Sequence, residues 1–149
     1  MITYQLEEWD VVKQDVCRLA TQHYVECEAA ENKFPFSLDM DTFEVLAEQG
    51  LLHCFTARAD GKIIGYIVNA ISDRHLHFEA KTANHLGWYV APEFRKKLVG
   101  VKLLALTEEE LRKIGVQIMY GSHTIHADAS QVFKRLGWQD VERHYVKVL

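Results

Sequence analysis

Several things are scarce in this chain, and each scarcity closes off a class of protein. Only three cysteines occur, Cys17, Cys27 and Cys54. An odd count without C-x-x-C spacing fits neither a disulfide framework nor a zinc site, so buried thiols in a reducing compartment are expected. Prolines number two, which leaves no room for a Pro-rich linker or stalk. No apolar run approaches ~18 residues, so no membrane-spanning helix is expected. The first residues, Met-Ile-Thr-Tyr-Gln-Leu-Glu-Glu-Trp, are acidic and lack the apolar stretch of a signal peptide. A cytoplasmic location follows as an expectation. Positive charge is in deficit: Lys and Arg total 17 against 21 Asp and Glu, for a net charge of −4. A general nucleic-acid binder usually carries the opposite balance, whereas a cationic partner such as an amine is weakly favoured. Gly-x-x-x-x-Gly-Lys-Ser/Thr and Gly-x-Gly-x-x-Gly are both absent, which excludes a P-loop and a dinucleotide fingerprint.

What is present is one ordinary domain. The 149 residues, 48% hydrophobic and 26% charged, fit a single globular unit over 1–149. Residues 2–6 have the look of a short strand. From Glu8 to about Glu28, Trp9, Val12, Val16, Leu19, Ala20 and Tyr24 recur at helical spacing. A second helix is expected from Asp39 or Asp41 to Gln49, capped by aspartate and ended by Gly50. Leu52–Ala59 and Lys62–Ile71 are apolar runs joined at Asp60-Gly61, a strong hairpin signal. A third strand ends at Val90, and a helix follows to Ile114. A strand over Gln117–Ser122, a helix over Ala127–Leu136 and one or two strands within Trp138–Leu149 complete the order. Strands in meander followed by alternating strands and helices predict an α/β fold with a mixed sheet.

Residues 86–115 carry the most chemistry. A strand stops at Pro92, a basic turn of Arg95, Lys96 and Lys97 comes next, and the helix after it has Gly100 in its first turn. The start of a helix has unpaired N–H groups and a partial positive charge, which suits a phosphate. Glycine there permits close approach of a ligand to the backbone.

This stretch resembles the acetyl-CoA-binding motif of the GCN5-related N-acetyltransferases (GNAT), strand, Val-x-Pro-x-x-Arg/Gln, then Arg/Gln-x-x-Gly-x-Gly/Ala and helix. Val90, Pro92, Arg95 and Gly100 match, and Leu98 stands where the family has its first glycine. A second segment, His126 to Trp138, resembles the family's C-terminal motif through Ala129, Leu136, Gly137 and Trp138. There Phe133 replaces the tyrosine that often protonates the departing thiolate, and His126 replaces an asparagine that often contacts the pantetheine arm. The resemblance implies a mixed antiparallel and parallel sheet of about six strands flanked by about four helices. It also implies acetyl-CoA as co-substrate. Tyr89 and Val90 would offer backbone hydrogen bonds to the pantetheine arm, and a backbone amide near Val90 would stabilise the oxyanion. The pyrophosphate would lie on the amides of Lys97, Leu98, Val99, Gly100, Val101 and Lys102, with Arg95, Lys96 and Lys97 neutralising its charge.

The implied reaction is direct attack by a primary amine on the thioester. The family's usual glutamate base has no counterpart on the strand after the first motif helix. His85, His123 and His126 are therefore the candidate acid–base residues. Two of them also have an ordinary alternative, His85 as a plain strand residue and His126 as a helix start. Eight histidines occur, but no ligand spacing supports a metal, and none is expected. Residues 29–38 are a candidate wall for the acceptor. Phe34, Phe36, Trp88, Tyr89 and Tyr120 either line its pocket or belong to the core. The acceptor is a small-molecule or peptide amine. A homodimer is compatible with the sequence, which does not fix the oligomeric state. The rival to an enzyme is a catalytically weak or inactive module of the same fold that binds CoA or a protein partner, and Leu98 and Phe133 favour it.

Overall fold

The computed structural model describes residues 1–28 and 33–149. Five strands form one sheet in the order β1-β2-β3-β4-β5. They are β1 (Ile2–Glu7), β2 (Leu52–Ala59), β3 (Lys62–Ser72), β4 (Thr82–Val90) and β5 (Ile118–Tyr120). The first four pair antiparallel, and β5 joins β4 in parallel. The β2–β3 hairpin turns at Asp60 and Gly61, with φ of 48° and 80°. Two consecutive positive φ values match the right-handed twist of the flanking strands, which is why Asp-Gly announces such a turn.

Helices cover both faces. On one side lies α1 (Trp9–His23), which places Trp9, Val12, Val16 and Leu19 against Cys54, Tyr66, Val68 and Tyr89. Its neighbour α2 (Met40–Glu48) is capped as expected, with Asp39 accepting the Thr42 amide at 3.1 Å. On the other side α3 (Val99–Lys113) buries Val99, Leu103 and Leu104 against Phe55, Ile67 and Val90. The short α4 (Ser130–Arg135) brings Phe133 and then Trp138 to the same cluster.

The expected strands over Trp138–Leu149 do not form, so the sheet has five strands and not about six. The physical reason lies in β5, which spans three residues and offers little ladder to extend. Trp138 instead packs on Phe133 at 4.9 Å and donates its indole N–H to Glu108 at 2.7 Å, which leads the chain away from the sheet. Of the loop expected over 29–38, residues 29–32 lie outside the described residues.

One buried ion pair fastens β1 to the sheet. Arg58 Nε donates to Glu7 Oε1 at 2.7 Å, and the Thr56 hydroxyl donates to the same oxygen at 2.6 Å. Burial alone would raise the Glu7 carboxyl, but hydrogen bonds from Arg58, Thr56 and Gln5 outweigh it and hold the group below its ordinary value. A depressed acid contributes stability that is full above its unfolded pKa, near ~4.3, and that disappears as pH falls through the folded value. Glu7→Gln is therefore expected to cost about 2 kcal/mol at pH 7, measured by urea unfolding, and the difference should shrink as pH falls below ~4. A constant difference across that range would show that the carboxylate charge is not what binds β1.

Candidate active site

The site begins where β4 loses its neighbour. Thr82–Asn84 pair with Ile118–Tyr120, and from His85 onward β4 has no strand on its outer side among the described residues. A bulge lies at that point. Val68 pairs with Gly87 and Asn69 with His85, which leaves Leu86 as the extra residue. Bulges bend a strand and re-aim the side chains beyond them, and they are frequent beside active sites. Peptide groups alternate sides along an antiparallel strand. The Ala91 amide bonds Ile64 O at 2.8 Å on β3, so the peptide groups of Tyr89 face β3 and those of Trp88 and Val90 face the open slot. The expectation that Tyr89 joins Val90 in offering its backbone to the pantetheine arm is corrected on this count, since its peptide groups turn to β3.

Past the slot comes a 3-10 turn (Pro92–Lys97) and then α3, hinged at Leu98. Leu98 has φ 57° and ψ 19°, a left-handed conformation that costs a residue with a Cβ roughly 1–2 kcal/mol. Its side chain is 54% exposed, so the backbone keeps the glycine-like turn and the leucine points outward. The Lys102 amide bonds Leu98 O at 3.0 Å and is not free for a ligand. The three amides ahead of it, Val99, Gly100 and Val101, precede the first intrahelical bond and are the available donors. A Cβ at Gly100 would meet Trp88 at 3.4 Å and Val90 at 3.7 Å, ordinary van der Waals contact, so packing on β4 does not by itself demand glycine there.

Of the three motif cations, Arg95 is already engaged. Its Nε donates to Val90 O at 2.8 Å, its Nη2 donates to Glu26 Oε2 at 2.5 Å, and its guanidinium lies 5.3 Å from the Tyr89 ring centre. Lys97 Nζ lies 5.8 Å from the Phe94 ring centre. Lys96 and Lys97 are exposed at the mouth of the turn.

The candidate histidines fall into different settings. His85 pairs across the sheet with Asn69, and Asn69 with His53. Asn69 and His53 are buried, with side-chain polar atoms that have no partner among the described residues. Burial pushes His85 down to about 4, and the charge of His23 adds to the effect. Its Nδ1 accepts the Ser122 amide at 3.3 Å, which leaves Nε2 carrying the ring proton. His123 has the opposite arrangement. Its Nδ1 faces Thr124 O at 3.1 Å, and a carbonyl only accepts, so the proton is on Nδ1 and Nε2 is open. That Nε2 lies 3.5 Å from Asp128 Oδ1. The ring stacks 6.1 Å from Phe133, which sits between Trp88 and Trp138 at 5.4 and 4.9 Å. A Cβ on Gly121 would come within 2.8 Å of Phe133, so this aromatic wall needs glycine at the end of β5. His126 is exposed on a 3-10 turn (Ile125–Ala127).

Two residues here were not singled out from the sequence, His23 and Glu26. His23 Nδ1 lies 2.8 Å from the Tyr66 hydroxyl, and its ring stacks on Tyr89 at 5.2 Å. Tyr89 donates to Glu26 Oε1 at 2.6 Å. His23 and Glu26 read as the polar face of an amphipathic helix, and no local signal marks the widening of α1 into a π turn (Tyr24–Glu28). The expected aromatic pocket is not a single group. Tyr24 lies against Phe36 at 5.6 Å and bonds Phe34 O at 2.6 Å, whereas Tyr120 lies near His75 at 6.0 Å. Among the described residues no cluster of three or more His, Cys, Asp or Glu could hold a metal. Among them, too, no helix is long and apolar enough to cross a membrane.

A model of the acetyltransferase (GNAT) family matches residues 14–138. The aminoalkylphosphonate N-acetyltransferase of Salmonella typhimurium is 27% identical over 128 residues, covering 83% of this chain and 80% of that protein. Among solved structures, an aminoglycoside acetyltransferase from an uncultured soil metagenomic sample shares 16% identity at a TM-score of 0.72, over 99% of this chain and 97% of that one. A predicted acetyltransferase from Clostridium acetobutylicum, solved with acetyl-CoA, shares 16% identity at 0.73, over 100% and 96%. A putative acetyl transferase from Pyrococcus furiosus shares 18% at 0.76, over 99% and 100%. At these identities the structural likeness establishes the fold.

Two outcomes are expected from this geometry. Leu98→Gly relieves the left-handed strain and should stabilise the fold by about 0.5–1 kcal/mol, after the added chain entropy of glycine is subtracted. A fall in melting temperature would mean that the leucine side chain makes a contact worth more than the strain. With its pKa lowered to about 4, His85 is neutral at every pH well above that value. His85→Gln should therefore leave the shape of the pH–rate profile around neutrality unchanged. An ionisation near neutrality that vanishes in this variant would refute the lowered pKa.

Proposed function

The chain belongs to the acetyltransferase (GNAT) family, and on that premise we propose that it transfers the acetyl group of acetyl-CoA to the primary amine of a small molecule by direct attack. The observation that carries this reading is the open outer edge of β4 running up to the free amides of α3. A thioester donor with a long amide-bearing arm and a pyrophosphate fits that shape. Trp88 and Val90 present peptide groups to the arm as a neighbouring strand would. The Val99, Gly100 and Val101 amides face the pyrophosphate at the positive end of the helix, with Lys96 and Lys97 beside them. Acetyl-CoA supplies the activated acyl group, and the remaining tasks belong to the chain.

The incoming nitrogen must lose a proton. We assign that task to His123, whose Nε2 carries the ring lone pair and lies 3.5 Å from Asp128 Oδ1. His85 holds the Ser122 amide and so fixes the turn that carries His123. The Val90 amide is positioned as an oxyanion donor. A covalent acyl-enzyme is disfavoured. Cys54 is buried with its thiol pushed up to about 12, and burial also raises Cys27, so neither offers a thiolate. Residues 1–149 act as one N-acetyltransferase domain in this proposal, supported by a continuous sheet covered on both faces.

The acceptor is a small amine. Aminoalkylphosphonates and aminoglycosides are the leading candidates because relatives named for them share this fold. A second reading, a weakly active CoA-binding module, is favoured by Phe133, which has no proton to give the leaving thiolate.

Release of CoA, followed with a thiol reagent across a panel of amines, tests the choice. Turnover with at least one small amine is expected, and His123→Gln should reduce kcat roughly 10²-fold with acetyl-CoA affinity unchanged. Tight acetyl-CoA binding without turnover of any amine would support the module reading instead.

A further inference from the structure

The end of α1 holds a constellation that the transfer reaction leaves unused. After His23 the helix widens into the π turn Tyr24–Glu28, and single π turns inside helices often mark functional positions. The turn lays Glu26 over β4, where Tyr89 donates to Oε1 and Arg95 to Oε2. It also touches the Ile125–Ala127 turn across the mouth of the slot. Glu26 therefore stands close to the edge along which the thioester arm is placed.

Two properties of this carboxylate matter. Burial alone would raise it, but hydrogen bonds from Arg95 and Tyr89 hold it below its ordinary value, so it is anionic at neutral pH. Tyr89 and Arg95 take one acceptor position on each oxygen, and a carboxylate has about four, so capacity remains. The side chain is 34% exposed and can be reached from solvent.

Its present counter-ion is borrowed from the motif. Arg95 is bonded to Val90 O and Glu26 at once, and the Glu26–Arg95 pair is 34% and 46% exposed. Half-exposed pairs of this kind contribute about 0–1 kcal/mol. A pyrophosphate arriving at the Val99–Val101 amides offers the guanidinium a more highly charged, bidentate partner a short distance away. Departure of Arg95 has two effects. It frees Val90 O, an acceptor facing the slot. It also leaves Glu26 without a cation beside the slot.

We infer that Glu26 is the acceptor-recognising carboxylate, covered by Arg95 until acetyl-CoA binds and then exposed to the ammonium group of the acceptor. The inference rests on the amine-acetylation reading and adds to it a selecting residue, Glu26, and the ion pair with Arg95 that covers it.

Steady-state kinetics on the full chain with the best amine of the panel test it, together with calorimetry of acetyl-CoA. Glu26→Gln should raise KM for a cationic alkylamine about tenfold or more. The kcat should stay within about twofold, acetyl-CoA affinity should be equal or higher because Arg95 no longer has to leave Glu26, and Glu26→Asp should recover part of the loss. KM for an arylamine, uncharged at the same pH, should not change. Binding of the alkylamine alone should be undetectable in the parent protein and measurable in Arg95→Gln. An unchanged alkylamine KM in Glu26→Gln, or equal losses with charged and uncharged amines, would overturn the inference while leaving the enzyme reading intact. Absence of turnover by the parent protein with every amine would overturn both.

Discussion

Peptide groups in a sheet need partners, and β4 is deprived of them halfway along its length. The bulge at Leu86 and the three-residue span of β5 separate the two parallel strands after Asn84. Trp88 and Val90 are left facing a slot. An unsatisfied strand edge costs free energy unless water or a ligand fills it, and it is a template for any extended molecule that carries amides. The rest of the site is arranged around that edge. Phe133 and Trp138 wall the far side, and the π turn of α1 overhangs the near side.

The order of elements was legible because its signals are local. Helical spacing in α1, the Asp39 cap, the Asp60-Gly61 turn and the Pro92 stop each act within a few residues. The terminal strand was not legible. A strand needs a neighbour, and whether β5 would be long enough to provide one depends on the packing of Trp138 and Phe133. The bulge at Leu86 was equally hidden, since an extra residue leaves no mark on the alternation of a short strand. Among site residues, the phosphate side was visible in Arg95, Lys96, Lys97 and Gly100 as a pattern. The roles shifted on folding. Arg95 bonds Glu26, and the free amides narrow to three. Glu26 and His23 were invisible because nothing in the sequence places the end of α1 beside residues 87–95.

Strain and unmet polar groups gather near the slot. Leu98 holds a left-handed turn, and Asn69 and His53 keep buried polar atoms without partners among the described residues. Such features reduce stability and persist where a function depends on them. The row His53, Asn69 and His85 ends on the Ser122 amide, one residue before His123, so a polar row across the sheet ends beside the turn that presents the proposed base.

Hydrogen exchange of individual amides, with and without acetyl-CoA, tests the central claim most directly. Slowed exchange at Val90 and at Val99, Gly100 and Val101, with the amides of β1 and β2 unaffected, is the expected result. Acetyl-CoA binding that leaves those four amides unchanged, or that protects a different edge of the sheet, would contradict the account.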